Sequence, residues 1–325
     1  MRSDSSSTGP APEAADEADR VARVALTTVA EPGHPTIWSM VEHDGAPAAL
    51  ERLLAGDAPD ASLRAAVTAR TAKGDVRRFA QLAVRRAQRI GARLVVPGDR
   101  EWPAQVDDLA RLESSPGDGP VARDTKPPLC LWVRGDWSLR EAFPRSVAVV
   151  GARAATPYGK HVSTELAHEL ATRGWTIVSG GAFGVEAAAH RGALTADGLT
   201  VAVLACGIDR PYPAGNADLF DQIIERGLLV SLWPTGAEPL RHRFGIRNRL
   251  IATAAGTVLV EAAARSGAVQ TISRALDLDR PAMVVPGPVT SAMSVGCHNI
   301  LRAHIGARIV TSAADVITEL TPATS

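Results

Sequence analysis

Residues 241–249 combine several arginines with a phenylalanine, and no other stretch of the sequence is better suited to bind a ligand. The nine residues RHRFGIRNR contain four arginines and no acidic residue. Arginine binds phosphates through paired hydrogen bonds, and Phe244 among the arginines offers a face on which a base can stack. The stretch therefore favours a single-stranded nucleic acid as ligand, although it could also be the start of a helix with a solvated basic face. Its candidate contact residues are Arg241, Arg243, Phe244, Arg247, Asn248 and Arg249.

Two glycine-containing turns, each between a predicted strand and a predicted helix, could bring backbone N–H groups close to a phosphate. The first begins at Gly151, after an apolar strand, and contains Arg153. Since parallel strands end at one sheet edge and helix N-termini attract anions, the two turns predict an anion site there. Arg153 is better placed to meet that anion than to enter the core. The second turn, SGGAFG, supplies Ser179, Gly180, Gly181, Phe183 and Gly184.

Neither turn carries the fingerprint of a common nucleotide-binding enzyme. The first lacks two glycines of the GxGxxG motif, and Gly159-Lys160 lies inside a predicted helix rather than at its start as in a P-loop. Glu261 ends a predicted strand and is expected to accept hydrogen bonds from Arg247 or from a helix N-terminus rather than to catalyse. The histidines and cysteines show neither metal-ligand spacing nor a Ser-His-Asp order. We therefore predict no catalytic residue, no cofactor and no metal.

Composition narrows the class of protein. The chain has 325 residues, a formal net charge of +0 and 46% hydrophobic residues. No apolar run approaches the roughly 18 residues of a membrane span, and the polar, acidic start is unlike a secretion signal. Three scattered cysteines suit a reducing compartment, so we expect a cytoplasmic protein without membrane contacts. Because the net charge is neutral, binding to nucleic acid must come from a local patch.

The order of predicted elements indicates an α/β protein. Regular alternation of strands and helices begins at Ser146 and predicts an extended Rossmann-like, doubly wound, mainly parallel sheet, preceded by a small helical domain. The predicted division of the chain is a disordered tail (1–20), a helical module (21–90), a connector packing on the Rossmann-like domain (91–145), that domain itself (146–320) and a tail (321–325).

Nine strands are predicted along the chain. Two lie in the connector, on either side of a Pro/Gly-rich loop, Ser114–Pro128, that we expect to be flexible. The predicted strands are Leu94–Val96, Leu129–Val133, Val147–Val150, Trp175–Ser179, Thr200–Leu204, Leu228–Leu232, Thr257–Glu261, Ala282–Val285 and Arg308–Val310.

The last helix of the helical module is rich in arginine. Its basic residues could touch phosphates, although such a run more often marks a solvated face. They are Arg77, Arg78, Arg85, Arg86 and Arg89.

Seven short motifs resemble, in their order and spacing, those of the DNA-processing protein A (DprA/Smf) family across roughly residues 90–320. The resemblance implies a Rossmann-like domain that binds single-stranded DNA, self-associates and helps to load a RecA-type recombinase in natural transformation, without catalysis. The motifs are Gly151-Ala152-Arg153 with Tyr158-Gly159, SGGAFGVEAAAHRGAL, Tyr212-Pro213, Arg247-Asn248-Arg249-Leu250-Ile251-Ala252, Val260-Glu261-Ala262, Ser266-Gly267 and Val285-Pro286-Gly287.

The same resemblance assigns residues to two sites. It places a DNA-binding pocket at the turn with Arg153, at the glycine loop (residues 179–184) and at the basic stretch (residues 241–249), and we add Ser266 and Gly267 to these candidates. It also implies dimer or recombinase contacts in the C-terminal segment that contains His298. There the apolar residues Ile300, Leu301 and Ile305, spaced at about one helical turn, could form an interface patch or be buried against the sheet. The sequence departs from the family pattern at Glu186, where an aspartate is usual, and at Leu232, where a glutamate is usual.

Two other functions remain open at this point. One is an enzyme that cleaves nucleoside monophosphates, a phosphoribohydrolase, and the other is a sensor that binds a nucleotide without turnover. Such hydrolases carry the signature PGGxGTxxE, whereas here only Gly256-Thr257 matches and Glu261 lies one position too late.

Overall fold

Residues 16–90 of the chain contain five helices. The computed structural model describes residues 16–112 and 125–321. The buried positions of this helical module are mostly alanine, valine and leucine. The five helices are α1 (Glu17–Leu26), α2 (Pro35–Asp44), α3 (Ala46–Leu54), α4 (Ala61–Thr71) and α5 (Val76–Arg89).

Helix α1 begins within the segment predicted as a disordered tail. Asp16 caps the helix by accepting a hydrogen bond from the Asp19 backbone N–H at 2.6 Å. Acidic residues in the first helical turn are also stabilised by the helix dipole. The prediction of disorder is therefore wrong for residues 17–20, and residues 1–15 lie outside the described part of the chain.

A nine-stranded sheet follows, in the spatial order β1-β2-β6-β5-β4-β3-β7-β8-β9. Each of the nine predicted strands is present, with ends that differ by at most two residues. The strands are β1 (Ala92–Val95), β2 (Leu131–Arg134), β3 (Ser146–Val150), β4 (Thr176–Gly180), β5 (Thr200–Leu204), β6 (Leu228–Ser231), β7 (Gly256–Leu259), β8 (Ala282–Val284) and β9 (Ala307–Ile309).

Pairing within the sheet is parallel except at one edge. Strands β3 to β9 run parallel, whereas β2 pairs antiparallel with both β1 and β6. Residues 91–145 thus extend the main sheet with β1 and β2. Most of the loop predicted at Ser114–Pro128, residues 114–124, lies outside the described residues, as do residues 322–325.

Helices cover both faces of the sheet. Helix α7 (Pro157–Thr172) begins as its sequence predicts, with the Thr156 hydroxyl accepting from the Gly159 backbone N–H at 3.2 Å and Pro157 in the first turn. None of the helices in the described residues is long and apolar enough to span a membrane. The helices are α6 (Leu139–Ala142), α7 (Pro157–Thr172), α8 (Val185–Thr195), α9 (Ala217–Arg226), α10 (Arg243–Ile251), α11 (Gly267–Asp277), α12 (Val295–Ala303) and α13 (Ala313–Leu320).

The helical module packs directly against the sheet. Trp132 of β2, Leu229 of β6 and Phe220 of α9 belong to one hydrophobic cluster with buried residues of α1, α3 and α5. Trp132 and Phe220 are among the largest fully buried side chains in the described residues. The module is therefore held against β1, β2, β5 and β6 by apolar burial.

Candidate nucleic-acid interface

A pocket opens where β3, β4 and β5 end. Its cavity volume is about 60 Å³, well below the volumes typical of small-ligand sites, so it is a shallow concavity rather than a deep ligand cavity. Three segments that are distant in the sequence meet there: the turn after β3, the glycine loop after β4 and the start of α10. The residues that line the pocket are Arg153, Gly181, Ala182, Phe183, Val203, Leu204, Ala205, Tyr212, Pro213, Phe244 and Arg247.

Three aromatic rings contribute to the wall of this pocket. Phe183 and Tyr212 are each about half exposed, at 49% and 47%. Tyr212 meets Phe244 edge-on, with 6.1 Å between the ring centroids. Exposed aromatic faces at a pocket provide surfaces on which bases stack.

Arg153 lies over one of these rings with its charge available. Its guanidinium carbon is 4.6 Å from the centroid of Phe244, and the side chain is exposed. Among the residues that the structure describes, no carboxylate forms an ion pair with Arg153. The contact with Phe244 holds the guanidinium at the pocket without neutralising its charge, which suits recognition of a phosphate.

Arg247 lies beneath the pocket and is only 3% exposed. Its Nη1 donates to the Val203 carbonyl at 2.8 Å and is 3.7 Å from Glu186 Oε2, whereas its buried Nε has no hydrogen-bond partner among the described residues. Burial lowers the pKa of Arg247, the Glu186 carboxylate opposes that shift, and the neighbouring charge of Arg153 lowers the pKa further. Two arginines that repel each other at one pocket attract an anion.

Glu186 holds the glycine loop in place, a role that the sequence did not reveal. Its Oε2 accepts a hydrogen bond from the Ala182 backbone N–H at 2.8 Å and faces Arg247. A Cβ at Gly180 would lie 1.5 Å from Arg247 Nη1 and 2.4 Å from Glu186 Oε2, so a larger residue there would displace this ion pair. In the sequence, Glu186 stands out only as a departure from the family's usual aspartate.

His190, one helical turn after Glu186 on α8, fixes the same loop from below. Its Nε2 is 2.7 Å from the Gly180 carbonyl and its Nδ1 is 2.7 Å from Thr200 Oγ1. Since a carbonyl can only accept, Nε2 carries the proton. Burial lowers the pKa of His190 to about 4, so the ring is neutral near pH 7. The spacing of His190 in the sequence matches neither a metal site nor a catalytic triad, and it gives no sign of this positioning role.

The two predicted turns touch each other. The Val185 backbone N–H, at the start of α8, donates to the Ala152 carbonyl at 3.1 Å. Gly151 allows this approach, since a Cβ there would lie 2.6 Å from Val185 Cγ2. Gly184 has φ 79°, a conformation that favours glycine. The contact holds Arg153 beside the glycine loop.

The helical geometry of α10 decides which residues of the basic stretch reach the pocket. Phe244 and Arg247 are three residues apart, share one helix face and line the pocket. Arg243 instead pairs with Glu31 of the helical module at 3.1 Å, and Arg241 is exposed outside the lining. Asn248 and Arg249 are buried, and Asn248 Nδ2 donates to the Gly267 carbonyl at 3.2 Å.

Other predicted binding residues have structural partners away from the pocket wall. The Ser179 hydroxyl is buried and donates to the Val149 carbonyl at 2.6 Å. The Ser266 hydroxyl caps α11 by accepting from the Ala268 backbone N–H at 3.2 Å. Glu261 accepts from the Thr156 backbone N–H at 3.0 Å and hydroxyl at 2.7 Å. Of the two partners predicted for Glu261, Arg247 or a helix N-terminus, the structure therefore has the helix N-terminus.

The predicted dimer or recombinase patch is not a continuous apolar surface. Ile300 is buried in the core and Leu301 packs against it, because α12 lies on the sheet. Ile305 follows the end of α12 and is 97% exposed, and His298 Nε2 is 3.2 Å from the Gly287 carbonyl. The expectation that Ile300 contributes to a surface patch is wrong, since sheet packing consumes that side chain.

Comparison with known proteins identifies the family. The family model described as DNA recombination-mediator protein A matches residues 93–321. The chain belongs to this family. A putative DNA processing protein DprA of Mycobacterium tuberculosis is 49% identical over 231 residues, which cover 70% of this chain and 58% of that protein. A DNA processing protein DprA of Streptococcus pneumoniae is 39% identical over 197 residues, or 59% of this chain and 67% of that protein.

Two solved structures share the fold. The X-ray structure of DNA processing protein A from Streptococcus pneumoniae gives a TM-score of 0.72 at 28% identity, covering 94% of this chain and 98% of that one. A structure of DNA processing protein A from Helicobacter pylori, described for its single-stranded DNA binding mode, gives a TM-score of 0.58 at 28% identity. The match covers 70% of this chain and 95% of that one. The chain spans less than two thirds of the length of the mycobacterial relative.

Proposed function

We propose that this protein binds single-stranded DNA at the pocket between β3, β4 and β5. The observation that carries the proposal is the exposed, unneutralised Arg153 guanidinium stacked on Phe244, next to the half-exposed rings of Phe183 and Tyr212. The rings supply faces for bases and the guanidinium supplies a phosphate contact. The Helicobacter pylori relative, described as binding single-stranded DNA, supports this ligand.

The pocket suits a single strand better than a duplex. In a duplex the base faces are stacked on one another and cannot reach rings set into a pocket. A single strand exposes those faces and bends freely, so that each base that stacks on a ring contributes about 1–3 kcal/mol. We therefore infer a clear preference for single strands at equal salt concentration.

A hydrolytic function receives less support from the same residues. None of the residues lining the pocket is acidic or a histidine, so the lining lacks the carboxylate or imidazole on which hydrolytic acid–base catalysis most often relies. The nearby carboxylates of Glu186 and Glu261 are buried and accept hydrogen bonds from the backbone. We accordingly propose a binding protein rather than an enzyme.

The wider role follows from the family. We infer that the protein acts as a recombination mediator that loads a RecA-type recombinase on incoming single strands in natural transformation, in the cytoplasm and as a homodimer. The match to the recombination-mediator family over residues 93–321 supports this role. For self-association, exposed Ile305 remains a candidate contact.

Two titrations and one assay test the proposal. Fluorescence anisotropy should show binding of a labelled single strand and markedly weaker binding of the matching duplex. The logarithm of affinity should fall with the logarithm of salt concentration by roughly 0.7 per phosphate contact. Incubation with nucleoside monophosphates should release no free base. Equal affinity for both DNA forms, or release of base, would contradict the proposal.

A further inference from the structure

The exposed side of α5 carries a line of unpaired arginines. Arg78, Arg85 and Arg89 are exposed and have no ion pair or hydrogen-bonded side-chain partner among the described residues. At about 100° per residue, the three fall within about 40° of one another on the helix and span about 16 Å along its axis. They lie opposite the buried residues Val76, Ala80, Ala83 and Ala87. We call Arg78, Arg85 and Arg89 the arginine stripe.

The charge of this helix is only partly balanced by its neighbours. Helix α5 contains five arginines and no acidic residue, and its N-cap is Asp75. Arg77 is paired with Glu51, whereas exposed Arg86 adds a further charge beside the stripe. Like charges four residues apart, as at Arg85 and Arg89, repel each other. Since the whole chain has a formal net charge of +0, this concentration is local, and an anionic partner would relieve the repulsion.

Helix α5 is attached to the edge of the sheet that carries the pocket. Thr235, in the segment between β6 and α10, donates its hydroxyl to the Ala83 carbonyl of α5 at 3.4 Å. Glu31, between α1 and α2, accepts hydrogen bonds from His242 at 2.8 Å and Arg243 at 3.1 Å. The same segment therefore connects the helical module to Phe244 and Arg247 at the pocket.

Glu31 makes this attachment firm. It also accepts from Trp233 Nε1 at 2.5 Å. Burial raises the pKa of Glu31, but the hydrogen bonds from His242, Trp233 and Arg243 outweigh burial and leave the pKa below its ordinary value. An ionised Glu31 thus joins the module to the basic stretch, and α5 keeps a fixed position relative to the pocket.

We propose that the arginine stripe is a second contact surface for single-stranded DNA, which neutralises phosphates of the strand whose bases occupy the pocket. The inference rests on the proposed function of that pocket. Arginines aligned along a helix bind phosphates without reading bases, so the stripe contributes affinity that does not depend on sequence. Only a strand long enough to leave the pocket reaches it.

The test compares two double variants on short and long oligonucleotides. Arg85→Gln with Arg89→Gln removes two charges from the stripe. Arg100→Gln with Arg140→Gln removes two exposed arginines that also lack partners among the described residues but lie outside α5. Single strands of about 4 and about 16 nucleotides, the range of compact single-strand sites, are titrated at several salt concentrations.

The stripe variant should bind the long strand on the order of five- to tenfold more weakly than the unaltered protein. Its salt slope, which is the slope of the logarithm of affinity against the logarithm of salt concentration, should be smaller in magnitude by roughly 1.4, or 0.7 for each lost phosphate contact. Its affinity for the short strand should not change, and the control variant should match the unaltered protein on both strands. The melting temperature of the stripe variant should not fall, because the two substitutions remove a repulsion between like charges.

Unchanged long-strand affinity and salt slope in the stripe variant would overturn the inference. So would equal losses in the stripe and control variants, which would indicate attraction by overall charge. A separate result would contradict the proposed function of the pocket. In that case the short strand would bind an Arg153→Ala variant as tightly as it binds the unaltered protein.

Discussion

Replacing Arg153 with alanine separates DNA binding from folding. In the free protein the substitution removes one contact, the guanidinium 4.6 Å from the Phe244 ring, which is worth about 0.5–1 kcal/mol at an exposed site. With DNA bound it also removes a charge-assisted hydrogen bond to phosphate of about 1.5–3 kcal/mol. The dissociation constant for single-stranded DNA should therefore rise roughly ten- to hundredfold, whereas the melting temperature should fall by about 4 °C at most.

Fluorescence anisotropy with a labelled single strand at several salt concentrations measures the effect. The salt slope of Arg153→Ala should be smaller by roughly 0.7, the value of one phosphate contact on a single strand. Arg153→Lys is the matched control: it keeps the charge and the salt slope but loses the planar fork, so it should recover only part of the affinity. Unchanged affinity of Arg153→Ala, with a normal melting transition, would refute a phosphate contact at this position.

Three further substitutions test the residues around the pocket. Arg247→Ala should lower the free energy of unfolding by about 3–5 kcal/mol, because it leaves Glu186 buried without its cation; denaturant titration measures this, and adding Glu186→Gln should restore part of the loss. Phe183→Ala should weaken single-strand binding by about 1–3 kcal/mol while Phe183→Tyr should not, and equal losses in both titrations would exclude stacking. His190, with a folded pKa of about 4 against an ordinary 6.5, favours its neutral form on folding. The free energy of unfolding should therefore fall by about 2 kcal/mol between pH 7 and pH 5, and His190→Gln should reduce that slope; a parallel pH curve would contradict this.

The α/β fold could be predicted because its strands carry local signals. Runs of β-branched residues such as Val147–Val150 occur where strands are buried on both faces. Thr156-Pro157 marks the start of α7, and Gly184, with φ 79°, marks a turn that favours glycine. Helix α1 escaped notice at residues 17–20, because acidic residues typical of a polar tail also suit a helix N-terminus.

The composition of the site was less predictable than its location. Four arginines in the basic stretch look equivalent in the sequence, yet Arg243 pairs with Glu31 and Arg247 is buried beside Glu186. Those partners lie far away in the sequence, so only the tertiary structure reveals them. Ile300 was misassigned for a similar reason: an apolar residue on a helix fits a core as well as an interface.

Photochemical cross-linking tests the central claim most directly. A single strand in which thymines are replaced by 5-iodouracil would be bound to the protein, irradiated and digested, and the linked peptides would be identified by mass spectrometry. If bases stack in the pocket, cross-links should fall on Phe183, Tyr212 or Phe244, and excess unlabelled single strand should abolish them. Cross-links confined to other surfaces, with none at these three rings, would contradict a single-strand site at this edge of the sheet.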